Sequence, residues 1–229
     1  MTASEMVTNF KFRLDKVDSL NYPNFENVEI DLLLNQATER IIKQRYGATN
    51  TKRTSFEETQ KRTEDLKNIV VTAPALLPFQ TANNINSDSA FITLPADHYF
   101  TIFENCIITY PDCKSVNKQD TVPVVAIQHN DYNKNIDNPF SKPNKNKVLR
   151  LMEDGQVELI PATGISIVSY KLRYIRKPAT IDSVTIPNVD SDLSEHLHDE
   201  IVDEAVTLAL EDIESRRQQS YNVVDNTNE

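Results

Sequence analysis

Apolar residues recur at helical spacing near both ends of the chain and at strand-like spacing in between. Val28, Ile30, Leu33, Leu34, Ala37, Ile41 and Ile42 share one face of a helix that Gly47 is placed to end, which predicts a core-facing segment from Val28 to Gly47. Before it, Ser4 to Leu20 mixes Phe10, Phe12, Leu14 and Val17 with charge, and Thr2 with Glu5 forms a capping box, so this stretch reads as a helix. After it, Ser55 and Glu58 form a second box at the head of a predicted helix from Ser55 to Val71. Its middle, Glu57 to Asp65, is nearly all polar, so only its ends are expected to be deeply buried. The strongest stripe comes last, where Leu193, Leu197, Ile201, Ala205, Leu208 and Ala209 line a helix from Asp192 to Arg217. Asp192 with Glu195 is its expected cap, and acidic early turns with Arg216-Arg217 at the end suit the helix dipole.

The texture changes at Pro74, where short runs rich in Ile, Val, Tyr and Phe begin, bounded by Pro, Asn and Asp. Strands are expected at Ala90 to Leu94, Ile102 to Tyr110, Val122 to Gln128, Val148 to Met152, Gln156 to Ile160 and Ile165 to Tyr174. Asp154-Gly155 is a primed hairpin turn between two of them, and Thr163-Gly164 marks another turn. The expected fold class is α+β: a helical bundle from the N- and C-terminal segments with an inserted antiparallel β-sandwich or barrel. The boundaries that follow are 1–73 for the N-terminal helices, 74–187 for the β-module, 188–217 for the C-terminal helix and 218–229 for a flexible tail. Inside the β-module, 129–147 is too polar for a core and reads as a long excursion. It is either a solvated loop or, because Tyr132, Pro139 and Phe140 are anchors such a loop would not need, a contact surface.

Composition narrows the function classes. Acidic residues outnumber basic ones 34 to 24, for a formal net charge of −10, which argues against gripping nucleic-acid phosphates by counterion release. Three glycines are too few for a phosphate-cradling loop, so nucleotide motifs and their cofactors are not expected. No window approaches the ~20 apolar residues of a membrane span, and Met1 to Met6 lacks the look of a leader, so folding in a cytoplasm is expected. Cys106 and Cys113 fit buried or incidental thiols, since two cysteines at this spacing match neither a zinc site nor a disulfide framework.

Candidate chemistry is sparse. His196 and His198 lie about 200° apart on a helix and cannot share a metal. His196 with Glu200 is an i, i+4 pair that could, set against a plain solvated acidic face. Asp97-His98 sits at a strand corner with no Ser or Cys elbow to complete a triad, which favours a structural turn. No catalytic, cofactor or metal residue is assigned, and the chain reads as a non-enzyme. Ring or partner contacts are expected instead at Leu197 and Ile201 of the helical base, at Tyr132, Pro139 and Phe140, and at Tyr221, Val223 and Val224. The last three give the polar tail a β-prone patch suited to ordering on a partner, with a partnerless disordered tail as the alternative.

Several of these stretches resemble a known family. The run Val28-Glu29-Ile30-Asp31-Leu32-Leu33-Leu34-Asn35-Gln36-Ala37, with Arg45-Tyr46, Phe56-Glu57 and Asp65-Leu66, is similar to the opening helices of tailed-phage neck proteins. Leu94-Pro95-Ala96-Asp97-His98-Tyr99, Asn138-Pro139-Phe140-Ser141-Lys142-Pro143 and Tyr174-Ile175-Arg176-Lys177-Pro178 resemble structural proteins of crAss-like podophages. The run from Leu193 to Val202 is similar to the last long helix of that class. The resemblance implies a virion protein of the head-tail connector: a closed ring of about twelve copies around the DNA channel, docked on the portal and neighbouring rings, with genomic duplex passing unbound. Rival readings are another neck ring or tail-hub protein, a cytoplasmic protein-binding module, and last a hydrolase.

Overall fold

The computed structural model describes residues 1–17, 25–47, 57, 59–80, 84–111 and 117–225. The chain divides into two compact units, Met1–Ile69 with Pro178–Glu229, and Val70–Lys177.

The first unit is helical. Helices α1 (Ala3–Val17), α2 (Asn27–Tyr46), α3 (Gln60–Leu66) and α5 (His198–Asp225) make it up, and α5 packs on both α1 and α2. The α1 cap is the expected box: Thr2 N–H donates to Glu5 Oε2 at 2.8 Å, and Glu5 N–H to Thr2 Oγ1 at 3.3 Å. Ile30, Leu33, Leu34, Ala37, Ile41 and Ile42 of α2 are buried as the stripe predicts, but Val28 is on the outside, 62% exposed. Gly47 ends α2 with its N–H on Lys43 O at 2.8 Å, in an extended conformation rather than the left-handed one expected of a helix-ending glycine. The Ser55 and Glu58 cap lies outside the described residues. Where a helix was expected to continue, Val70 and Val71 already form a strand. The last helix also starts later than expected, after a single 3-10 turn at Glu195–Leu197, because Asp192 accepts from Ala179 N–H at 2.8 Å instead of capping. It runs on to Asp225, so the expected stop at Arg217 is overturned: 218–225 is helical rather than a free tail.

The second unit is a seven-stranded sheet in the order β1-β7-β3-β4-β5-β6-β2, curled into a half-barrel. The strands are β1 (Val70–Thr72), β2 (Ala90–Thr93), β3 (His98–Pro111), β4 (Asn117–Ala126), β5 (Val148–Glu153), β6 (Gln156–Ile160) and β7 (Ser166–Arg176). The expectation of an all-antiparallel module fails at one pair, since β4 and β5 run parallel through Val124–Val148, Val125–Leu149 and Ala126–Arg150. Parallel neighbours cannot be joined by a tight turn and need a crossover of about a dozen residues or more, which is why the chain carries the long polar segment after β4. Three register shifts bend β3 against β7, near His98/Phe100, Thr101/Phe103 and Ile107/Ile108. The bent sheet brings its edges to a common strap: Leu76 exchanges backbone bonds with Tyr170 on β7, and Phe79 with Phe91 on β2. That strap covers edges that would otherwise invite pairing. Asp154 and Gly155 both have positive φ, 36° and 71°, as a primed hairpin requires.

The β-unit core is Ile92, Leu94, Cys106, Ile108, Val122, Val148, Val157, Leu159, Tyr170, Leu172 and their neighbours on one sheet face. Among them sits a charge. Arg150 Nε lies 2.8 Å from Glu104 Oε2, which also accepts from Tyr170 O–H at 2.8 Å. Burial raises the Glu104 pKa, against the opposing pull of Arg150 and the tyrosine bond. Burial likewise pushes the Cys106 thiol up to about 12, so it is inert. Cys113 lies outside the described residues.

Candidate assembly surfaces

In the helical unit, the polar run ahead of Leu66 hides one carboxylate completely. Asp65 is 0% exposed, with His196 Nε2 2.8 Å from its Oδ1 and Arg45 Nε 2.9 Å from its Oδ2. Neither Arg45 Nε nor Asp65 Oδ2 has a hydrogen-bond partner among the described residues, so that contact is ionic. Arg45 reaches on to Glu200, and Ser194 Oγ donates to Glu64 O at 2.9 Å. The network ties α3 to α2 and to the head of α5. His196 is therefore engaged by Asp65, and the i, i+4 pairing with Glu200 suggested by the sequence is replaced by Arg45 on Glu200.

Leu197 and Ile201, expected at subunit contacts, are both fully buried inside this unit. Their stripe is covered by α1 and α2 within the unit's own core, so they are unavailable to a partner in this state. The exposed apolar positions are elsewhere. Leu32 is 60% exposed on α2 one turn after Val28, and Val184 is exposed on the segment that leads into α5. Together with Asn35, Asp182 and Thr185 they line an open groove of about 460 Å³. Asp31 lines it too. Its Oδ2 accepts from Ser183 N–H and Oγ at 2.9 Å, while its buried Oδ1 has no hydrogen-bond partner among the described residues.

The excursion between β4 and β5 is ordered. A 3-10 turn (His129–Asp131) leads into a short helix α4 (Tyr132–Asp137). Tyr132 and Ile136 pack on Leu149, Leu151 and Ile160, on the sheet face opposite the main core. Tyr132 is thus an internal anchor of the crossover rather than a free contact, and its phenol pKa is raised by that burial. Past α4 the chain forms a tight tip. Phe140 N–H donates to Asn138 Oδ1 at 3.0 Å, Lys142 N–H to Asn138 O at 2.9 Å and Lys147 Nζ to Phe140 O at 2.8 Å, and Pro143 is buried. Pro139 is exposed there, and Phe140 is 90% exposed. Tyr221, Val223 and Val224 fall on the last turns of α5. The β-prone patch is therefore helical, and a docking mode that needs an extended strand does not describe it.

Asp97 and His98 are turn chemistry. Tyr174 O–H donates to Asp97 Oδ1 at 2.8 Å, Lys177 N–H to Asp97 O at 2.7 Å, and His98 Nε2 meets Thr101 Oγ1 at 2.9 Å. Burial lowers the His98 pKa, so the ring is held neutral rather than poised by an acid. The groove residues and buried Asp65 were missed by sequence reasoning. The signal for the groove was present: Val28 and Leu32 stand a turn apart, on the flank of the stripe that carries Ile30 and Leu34.

Relatives match nearly the whole chain. A "Ring protein 4/5" of Bacteroides phage crAss001 is 28% identical over 229 residues, covering 91% of this chain and 92% of that protein. A "Ring protein 3" of the same phage is 26% identical over 222 residues, covering 92% of this chain and 95% of that one. The family model described as phage tail ring protein 3/4 matches residues 1–222, a span that contains the whole β-unit and all of the helical unit except its last seven residues. By that match the chain belongs to the phage tail ring protein 3/4 family of the crAss-like phages.

Proposed function

We propose that this chain is a structural, non-catalytic subunit of a closed ring in the virion neck, an adaptor between portal and tail through which genomic DNA passes. The observation that carries the reading is the extent of the family match, which takes in the helical unit and the inserted β-unit alike. A copy number of about twelve suits an adaptor that matches the symmetry of the portal above it. The formal charge of −10 suits a channel wall, because a basic lining would hold the passing phosphates by counterion release. Assembly takes place in the host cytoplasm, and neighbouring rings are met in part by the end of α5 that carries Tyr221, Val223 and Val224. The labour divides between a helical base, a β-module and a docking end on the last turns of α5.

A second reading, another tier of the same stack, is favoured by one observation. Two differently named ring proteins of one phage match this chain to a similar extent, 28% and 26%, so the sequence is equally suited to either position. Lysine-reactive cross-linking of purified particles tests the ring in both readings. A ladder of this chain ending at a defined multiple is expected, and only monomer would refute it.

A further inference from the structure

We propose that the Phe140 tip of one copy seats in the α2 groove of the next copy, as the knob and socket of the ring. The inference rests on the ring reading above.

A closed ring of identical chains needs a heterologous contact, in which two different patches of one chain fit each other. This chain has two such patches. One is a projecting phenyl ring on a tip already fixed by its own backbone and asparagine bonds, so little ordering entropy is lost on docking. The other is a concave groove whose rim leaves Val28, Leu32 and Val184 exposed, and whose 460 Å³ is within the range of ~300–1,000 Å³ that encloses small organic groups.

Charge selects the same pairing. From Asn138 to Lys147 the tip carries Lys142, Lys145 and Lys147 and no carboxylate. Neither Phe25 to Glu39 nor Pro178 to Ser215, the stretches that include the groove, contains a Lys or Arg, while Glu29, Asp31 and Asp182 line it. Like surfaces of one sign would repel in a two-fold contact, whereas basic tip against acidic groove attracts. Asp31 adds an independent reason. A buried carboxylate oxygen without a donor is costly, and an incoming lysine such as Lys142 supplies one. Each joint is small, and closure of the ring multiplies it through effective concentration.

The test is thiol cross-linking in particles. Leu32→Cys and Phe140→Cys are placed together in a chain also carrying Cys113→Ser, and this chain is supplied alongside the Cys113→Ser chain during assembly. Both sites are exposed, and buried Cys106 gives no background. A short bismaleimide is expected to give multiples of 26.1 kDa from the double variant and none from either single variant. Multiples with the lysine-reactive reagent but none with the thiol pair would overturn the knob-and-socket contact and leave the ring standing. Absence of multiples with both reagents would remove the ring and the contact together. A photoreactive label on Leu32→Cys that captured a different virion protein would also overturn it, by giving the groove to another occupant.

Discussion

Replacing Asp65 with asparagine removes the charge at the centre of the helical unit while keeping its shape. In the folded chain Asp65 is fully buried between Arg45 and His196, both of which face it at under 3 Å. Removing one partner of a buried ion pair costs about 3–5 kcal/mol, chiefly because the other charge is left buried and uncompensated. Two features reduce that figure here. The Arg45 side chain is 21% exposed and keeps Glu200, and the His196 side chain is 53% exposed and can turn to water. A loss of about 2–3 kcal/mol is therefore expected, read as a lower urea midpoint with an unchanged slope. The helical and β-units need not unfold together, so far-UV circular dichroism should be followed alongside a probe confined to the helical unit. A double-mutant cycle with Arg45→Met assigns the effect to the pair. A change within about 0.5 kcal/mol, the range of ordinary surface substitutions, would refute the claim that this contact fastens α2, α3 and α5.

Further outcomes follow from the same structure. Ile201→Ala should cost about 2–5 kcal/mol in the unassembled chain, as a core truncation does; an unaffected monomer that fails only in assembly would restore Ile201 to a subunit contact. Gly155→Ala should cost about 1–2 kcal/mol in urea unfolding of the β-unit, since its φ of 71° disfavours any side chain although the space for a Cβ is open. The raised Glu104 pKa means the folded chain holds that proton more tightly than the unfolded chain, so this group's contribution is intact below the ordinary glutamate value of 4.5 and is lost as pH rises through the folded pKa. The stability of wild type relative to Glu104→Gln should accordingly fall as pH is raised from that value, and a pH-independent difference would contradict it. The isolated chain should bind duplex DNA weakly at physiological salt; tight binding would argue against a repelling channel wall.

What the sequence disclosed and what it hid divide by range. The α2 and α5 stripes and the Asp154-Gly155 hairpin were legible because spacing and turn chemistry are local. The direction of β5 was not, because the same alternating run from Val148 serves a parallel or an antiparallel neighbour. The length of the 129–147 segment was the clue to a crossover, and Tyr132 with Ile136, one turn apart, was the clue that it packs inward. Asp65 sits in a run that looks wholly solvated, and only Arg45 and His196, far away in sequence, make its burial tolerable. Of the contact residues expected from sequence, Phe140 stands exposed on a polar tip, whereas Leu197 and Ile201 show that an apolar stripe does not say whether its cover is the same chain or another.

The central claim is that this chain is a ring subunit of the virion neck, and electron cryomicroscopy of purified particles, with a localised reconstruction of the neck and tail, tests it most directly. The account predicts a closed ring around the DNA channel in which every copy is fitted by the helical and β-units of this chain. A neck and tail whose rings are all accounted for by other chains, with this one absent or present as isolated copies, would contradict it.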